Sequence, residues 1–170
     1  MSRSSIYLLL IALCLGLGAC QSPEESEAKK EAKTVAVLTA PKTADDGAWK
    51  LYLQQVVSQN MAGVTDRVFP YYLPADSVTV NPSDNKSQYD RQLENVNAVI
   101  QRTVLPGNML AFGSPDSARM ADLILAAFTG AKADALKGSQ VLFIGKPADS
   151  ARVQPVVEAA GGKYIFVEAK

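Results

Sequence analysis

The sequence predicts an α/β domain, a three-layer sandwich in which a mainly parallel sheet of five strands is covered by helices on both faces. From residue 34 onward, short apolar runs alternate with longer amphipathic stretches, the pattern of successive β-α-β units. The short runs are apolar on consecutive residues rather than on every second one, as in strands buried on both faces. A similar turn, built on Gly-x-Pro with Asp and Ser behind it, follows two of the runs.

Taken in order, the first strand is expected at Val35 to Leu38. The first helix places Trp49, Tyr52, Leu53, Val56 and Val57 at i, i+3, i+4, i+7 and i+8, one continuous apolar stripe. A second strand runs from Val68 to Leu73. Its Pro70 cannot donate a ladder hydrogen bond, which assigns this strand to a sheet edge. The second helix gathers Tyr89, Leu93, Val96 and Ile100 on one face and puts Asp90, Arg91 and Glu94 elsewhere. Met109 to Phe112 is the third strand. The third helix, Ala118 to Phe128, is apolar over most of its circumference and should be the most buried. After a fourth strand, Val141 to Ile144, a last helix carries Val153, Val156, Val157 and Ala160 before Gly161-Gly162 stops it. Pro155 conflicts with a helix starting near Ser150, so the helix either kinks there or becomes regular later. The final strand is Tyr164 to Val167.

Right-handed crossovers join such units. The alternation resembles flavodoxin-like and Rossmann-like folds, and the flavodoxin-like likeness implies the strand order 2-1-3-4-5, with Pro70 at one edge. The last strand would lie at the other edge. It is apolar on both sides, Tyr164 and Phe166 on one and Ile165 and Val167 on the other, and it is bracketed by Lys163 and Lys170. Flanking charge protects an edge, whereas an exposed edge accepts a strand from another chain; both readings stand.

The repeated turn is the most informative internal pattern. It reads Gly113-Ser114-Pro115-Asp116-Ser117 after the third strand and Gly145-Lys146-Pro147-Ala148-Asp149-Ser150 after the fourth, with a looser version at Thr39 to Asp46. Glycine and proline shape a β-to-α turn, and Asp or Ser accepts hydrogen bonds from the first helix amides. These residues are expected to cap helices. Alternatively, Gly113, Ser114, Ser117, Gly145, Lys146 and Ser150 line a crevice at the strand carboxyl ends, where open α/β folds bind ligands, and would hold a phosphate or carboxylate. A helix terminus contributes only about 0.3–1 kcal/mol to a nearby anion, so that site would be weak.

Several chemistries are excluded. The chain has no histidine, which removes the imidazole base and the commonest metal ligand. Its two cysteines are Cys14 and Cys20, which leaves no cysteine from residue 21 onward for a disulfide or a thiolate site. No glycine-rich nucleotide loop is present, and neither a cofactor nor a metal is expected. Asp45-Asp46 is placed at a helix start, a capping position. Asp76, Asp84, Asp90 and Glu94 lack the dense spacing of a calcium loop. With 17 basic and 17 acidic residues, the chain has no nucleic-acid footprint.

The N-terminus is more specific. Met1 to Ser5 is a short basic leader, Ile6 to Leu17 an apolar run too short to span a bilayer, and Gly18-Ala19 a small pair, the layout of a secretory signal. Leu17-Gly18-Ala19-Cys20 resembles the lipobox of bacterial lipoproteins. The resemblance implies cleavage between Ala19 and Cys20 by the lipoprotein signal peptidase, and diacylglycerol and acyl groups on Cys20. Gln21 in the sorting position implies the outer membrane, periplasmic face, while the acidic cluster Glu24 to Glu27 leaves the cell surface open. Residues 20 to 33 are too polar to form a core and reach about 40 Å if fully extended. The expectation is a non-catalytic accessory lipoprotein that binds an envelope protein, with a small-ligand binder and a carboxylate-based enzyme as alternatives. Cys20→Ala should leave the precursor uncleaved and unlipidated by mass spectrometry; wild-type mature protein of unmodified mass in the soluble periplasm would rule lipidation out.

Overall fold

Four strands, all parallel, make the main sheet, and they lie side by side in the order in which the chain visits them. The computed structural model describes residues Leu38 to Lys170, which lie in one compact unit. Helix α1 (Asp46–Gln59) comes first, then strand β1 (Val68–Tyr72), a two-residue pair β2 (Val80–Asn81) and β3 (Lys86–Ser87), and helix α2 (Gln88–Gln101). The remainder is β4 (Met109–Gly113), α3 (Ser117–Phe128), β5 (Gln140–Gly145), α4 (Pro147–Ala159) and β6 (Lys163–Glu168). The main sheet has the order β1-β4-β5-β6, with Val68 level with Met109, Met109 with Gln140, and Gln140 with Lys163.

This order corrects the expected one. A 2-1-3-4-5 sheet needs a strand between Val68–Tyr72 and Met109–Gly113, but those two are directly paired. Flavodoxin-like and Rossmann-like orders both reverse direction part-way; here every step runs the same way. Among the described residues the main sheet has four strands rather than five. Of the expected first strand, Val35 to Val37 lie outside the described residues, and Leu38 is in no strand. Pro70 is nevertheless at an edge. Arg67 accepts from Met109 N–H and Leu73 donates to Gly113, so odd-numbered residues of β1 face β4 and the missing Pro70 N–H falls on the outward row.

The direction of the crossovers decides where the helices go. Right-handed connections taken repeatedly in one direction put their helices on one face. Accordingly α2, α3 and α4 pack on the face that carries Leu110, Phe112, Val141 and Phe143. Among the described residues helix α1 alone packs on the other, where Trp49, Tyr52, Leu53 and Val56 meet Met109, Ala111, Leu142 and Ile144. Strands β4 and β5 are buried at every position, which is why their sequences are apolar without alternation.

Local chemistry sets the ends of the helices. Asp45 caps α1 by accepting from Ala48 N–H at 2.7 Å, and Ser87 and Asp90 form a reciprocal capping box at α2. Helix α3 lies between α2 and α4 and buries seven residues, as its all-round apolar composition predicts. Helix α4 begins earlier than expected, with Pro147 in its first turn, and it contains Pro155. Pro155 and Ala151, whose carbonyl loses its donor, are both exposed, so the interruption falls on the solvent side of the helix. Gly161, with φ of 80°, ends the helix, and the amides of Gly161 and Gly162 bond back to Glu158 and Val157. The pair β2 and β3 was not anticipated, because two-residue strands carry no periodicity.

Phe143 is fully buried at the centre of the three-helix face and stacks on Phe166 at 6.3 Å. Phe143→Ala should therefore lower unfolding stability by about 3–5 kcal/mol. Urea denaturation measures it, and a loss below about 1 kcal/mol would mean this face is not the close-packed core described.

Candidate functional site

The two Gly-x-Pro turns meet at the carboxyl ends of β4 and β5, but they meet each other rather than an open crevice. Asp116 is the N-cap of α3 and accepts from Arg119 N–H at 3.1 Å. Ser117 follows as the first helical residue. Its hydroxyl donates to the Asp149 carboxylate at 2.6 Å and accepts from the Lys146 N–H at 2.8 Å. One turn thus caps the other across the sheet. Gly145 makes this approach possible, because a Cβ there would stand 2.5 Å from the Ser117 Oγ.

The remaining predicted site residues have similar structural partners. Ser114 is buried and accepts from Asp116 N–H at 3.0 Å. Gly113 ends β4 beneath Leu53 of α1. Ser150 lies inside α4, and its hydroxyl pairs with the Tyr164 hydroxyl at 2.9 Å. Lys146 is the N-cap position of α4 without a side-chain cap bond, and it is exposed. Neither Ser117 nor Ser150 is an N-cap. Asp149 also pairs with Arg152 at 3.5 Å, and Arg152 reaches across to Asp122 on α3. Spacing along the chain carries no sign of the Ser150–Tyr164 pair or of the Arg152–Asp122 pair, since each joins two different elements. Ala19 and Cys20 lie outside the described residues.

Topology gives the reason for the closed crevice. Open α/β sheets bind ligands where neighbouring strands send their connections to opposite faces. Here β1, β4 and β5 all lead to helices on the same face, so their turns pack together.

A concave surface opens elsewhere, beside the edge strand β1 on the face that carries α1. It is a groove of about 510 Å³ lined by Leu53, Val57, Val68 and Pro70, with Lys50, Gln54 and Tyr72 at its polar margin. Polar contacts cluster at one margin of the groove. The Tyr72 hydroxyl donates to Asp46 at 2.9 Å, the Lys50 ammonium lies 5.3 Å from the Tyr72 ring centre, and Lys50 pairs with Asp46 at 3.9 Å. Burial, followed by the bond to Asp46 and the nearby acids, raises the Tyr72 phenol well above its ordinary value, so it stays a neutral donor. Asp45 and Asp46 are therefore a helix cap and a tyrosine partner. A second hollow, at the amino ends of the strands, has Arg67 and Arg102 in its lining. Its Asn108 is engaged with backbone, accepting from Arg67 N–H and donating to the Leu105 carbonyl.

Among the described residues no three His, Cys, Asp or Glu side chains converge to hold a metal ion, and no helix is long and apolar enough to cross a membrane. Comparisons with protein-family models, curated proteins and solved structures find no match to this chain.

The Ser117 bridge and the Ser150 pair should differ in energetic weight. Ser117→Ala strands a backbone N–H and removes a partner from the buried Asp149, for a loss of about 1–3 kcal/mol. Ser150→Ala frees only the half-buried Tyr164 hydroxyl, for about 0.5–1.5 kcal/mol. Thermal or urea unfolding of the two variants measures them, and a Ser117→Ala loss below about 0.5 kcal/mol would argue against the bridge.

Proposed function

We propose that this chain is a bacterial lipoprotein, held through lipid on Cys20 at the periplasmic face of the outer membrane, whose domain acts as a non-catalytic accessory that binds a protein of the cell envelope. The carrying observation is how polar and apolar surface is distributed. At the strand carboxyl ends, serine, aspartate and backbone amide groups satisfy one another, whereas the groove beside α1 and β1 is mostly apolar. A small anion needs donors that are not already engaged, and a carboxylate-based enzyme needs acids that converge on a substrate. A protein partner needs an apolar concavity with a polar margin. The lipobox residues and the polar stretch from Gln21 to Lys33 support tethering near a membrane. The architecture that accompanies this reading is a three-layer sandwich with a mainly parallel five-stranded sheet.

The groove, rather than a sheet edge, is the surface this reading assigns to the partner, because the outward row of β1 lacks the Pro70 donor. A photo-crosslinking amino acid at the exposed Gln54 should give a discrete adduct in intact cells, in membranes of outer-membrane density. Val57→Lys should abolish that adduct while leaving the melting temperature within a few degrees of wild type. Absence of an adduct from Gln54, or an adduct that survives Val57→Lys, would overturn the assignment; recovery of the protein in the soluble periplasm would overturn the anchoring.

A further inference from the structure

The loops that lead into the four strands form one continuous surface at the end of the sheet opposite the Gly-x-Pro turns. Backbone bonds join them from β1 to β6. The Thr65 N–H donates to the Gly107 carbonyl at 3.0 Å, Gly107 to Gly138 at 2.8 Å, Leu136 to Ala160 at 2.9 Å and Lys163 to Ser139 at 2.9 Å. With neighbouring strands about 4.8 Å apart, this end spans about 15 Å across the sheet.

Charge is divided unevenly between the two ends. Residues 60–67, 102–108, 129–139 and 160–163 carry five cations, Arg67, Arg102, Lys132, Lys137 and Lys163, against Asp66 and Asp134. Glu158, in the last turn of α4, is a third acid at this end; the rest of the described chain holds eight cations and ten acids. All five cations are exposed. Among the described residues, Arg102, Lys132, Lys137 and Lys163 have no ion-pair partner, and Arg67 has only Asp66 at 3.9 Å. At the other end Arg119, Arg152 and Lys170 are each paired with an acid.

An apolar side chain is held out among these cations. Leu105 is 66% exposed, more than any other large apolar residue of the described chain, and Met61 is exposed at the same end. The Leu105 backbone is nevertheless fixed, its carbonyl accepting from the buried Asn108 amide at 2.8 Å and the buried Ser139 hydroxyl at 2.9 Å. Covering Leu105 therefore removes apolar surface from water with little new ordering of the backbone.

We propose that this end of the domain seats on an anionic phospholipid surface, with Leu105 entering the headgroup region and the five cations facing the lipid phosphates. The hollow of about 340 Å³ that has Arg67, Arg102 and Leu105 in its lining offers one phosphate two guanidinium groups. A lysine or arginine close to such a surface strengthens binding about fivefold. The contact stands apart from any lipid on Cys20 and is tested without it.

Binding is measured with residues 20 to 170 carrying Cys20→Ser, by co-sedimentation with vesicles of phosphatidylcholine alone or mixed with phosphatidylglycerol. The protein should bind the mixed vesicles and not the neutral ones. Arg102→Gln with Lys137→Gln should weaken that binding about 25-fold, whereas Lys42→Gln with Lys146→Gln, the same change of charge at the other end, should leave it within about twofold. Leu105→Gln should weaken it about fivefold, and each variant should keep the melting temperature of the parent chain within a few degrees. Equal binding to both vesicles, equal losses from the two double variants, or full binding by Leu105→Gln overturns the proposal. So does failure to bind the mixed vesicles, which would leave this surface to an acidic protein.

Discussion

Each connection between neighbouring strands crosses in the same direction, and the handedness of β-α-β units converts that single fact into the distribution of mass around the sheet. Three helices must share one face. Helix α3, in the middle, consequently has neighbours on both sides as well as the sheet below, and it buries Met120, Leu123, Ile124 and Phe128. Strands β4 and β5, at the centre of the sheet, are covered above by those helices and below by α1. Their full burial, and the stacking of Phe143 on Phe166, follow from this placement.

The same constraint shapes the candidate sites. With β1, β4 and β5 all turning towards one face, the Gly-x-Pro turns are pressed together, and Ser117 becomes the donor to Asp149 and the acceptor from Lys146 N–H. Polar residues that could recognise an anion on an open crevice instead fasten α3 to the start of α4. On the opposite face a single helix among the described residues covers the sheet. Beside α1, at the β1 edge, Val68 and Pro70 are left lining a groove, with Tyr72 fixed at its margin by Asp46 and Lys50. The apolar concavity is thus a consequence of uneven coverage of the two faces.

Polar pairs at the surface have a smaller part. Asp84 with Arg91 and Lys86 with Glu94 join the β2 and β3 pair to α2. All four side chains are more than a third exposed, so water and salt screen them and each pair contributes little. The hydrogen bond from Arg91 holds the Asp84 carboxyl below its ordinary value. By linkage, that contribution is present above the unfolded carboxylate range and fades as the pH falls through the folded value.

By itself the sequence determined the α/β class, the positions of four of the strands and of all four helices, and the edge location of Pro70. These depend on local matters: apolar periodicity, a proline without a donor, and an Asp before a helix. It also fixed the absence of histidine, which no fold can supply. Tertiary structure alone decided the strand order, because an apolar run on both faces reads the same at any interior position of a parallel sheet. The order in turn decided the fate of the repeated turns. Ser117 and Ser150 look like caps or ligand contacts along the chain, and only the approach of α3 to α4, and of α4 to β6, pairs them with Asp149 and Tyr164. The groove was invisible for the same reason, since Leu53 and Val57 belong to an ordinary helical stripe. Where that stripe runs past the edge of the sheet it lies over is settled by the direction of crossovers, a property of the whole chain and not of any segment.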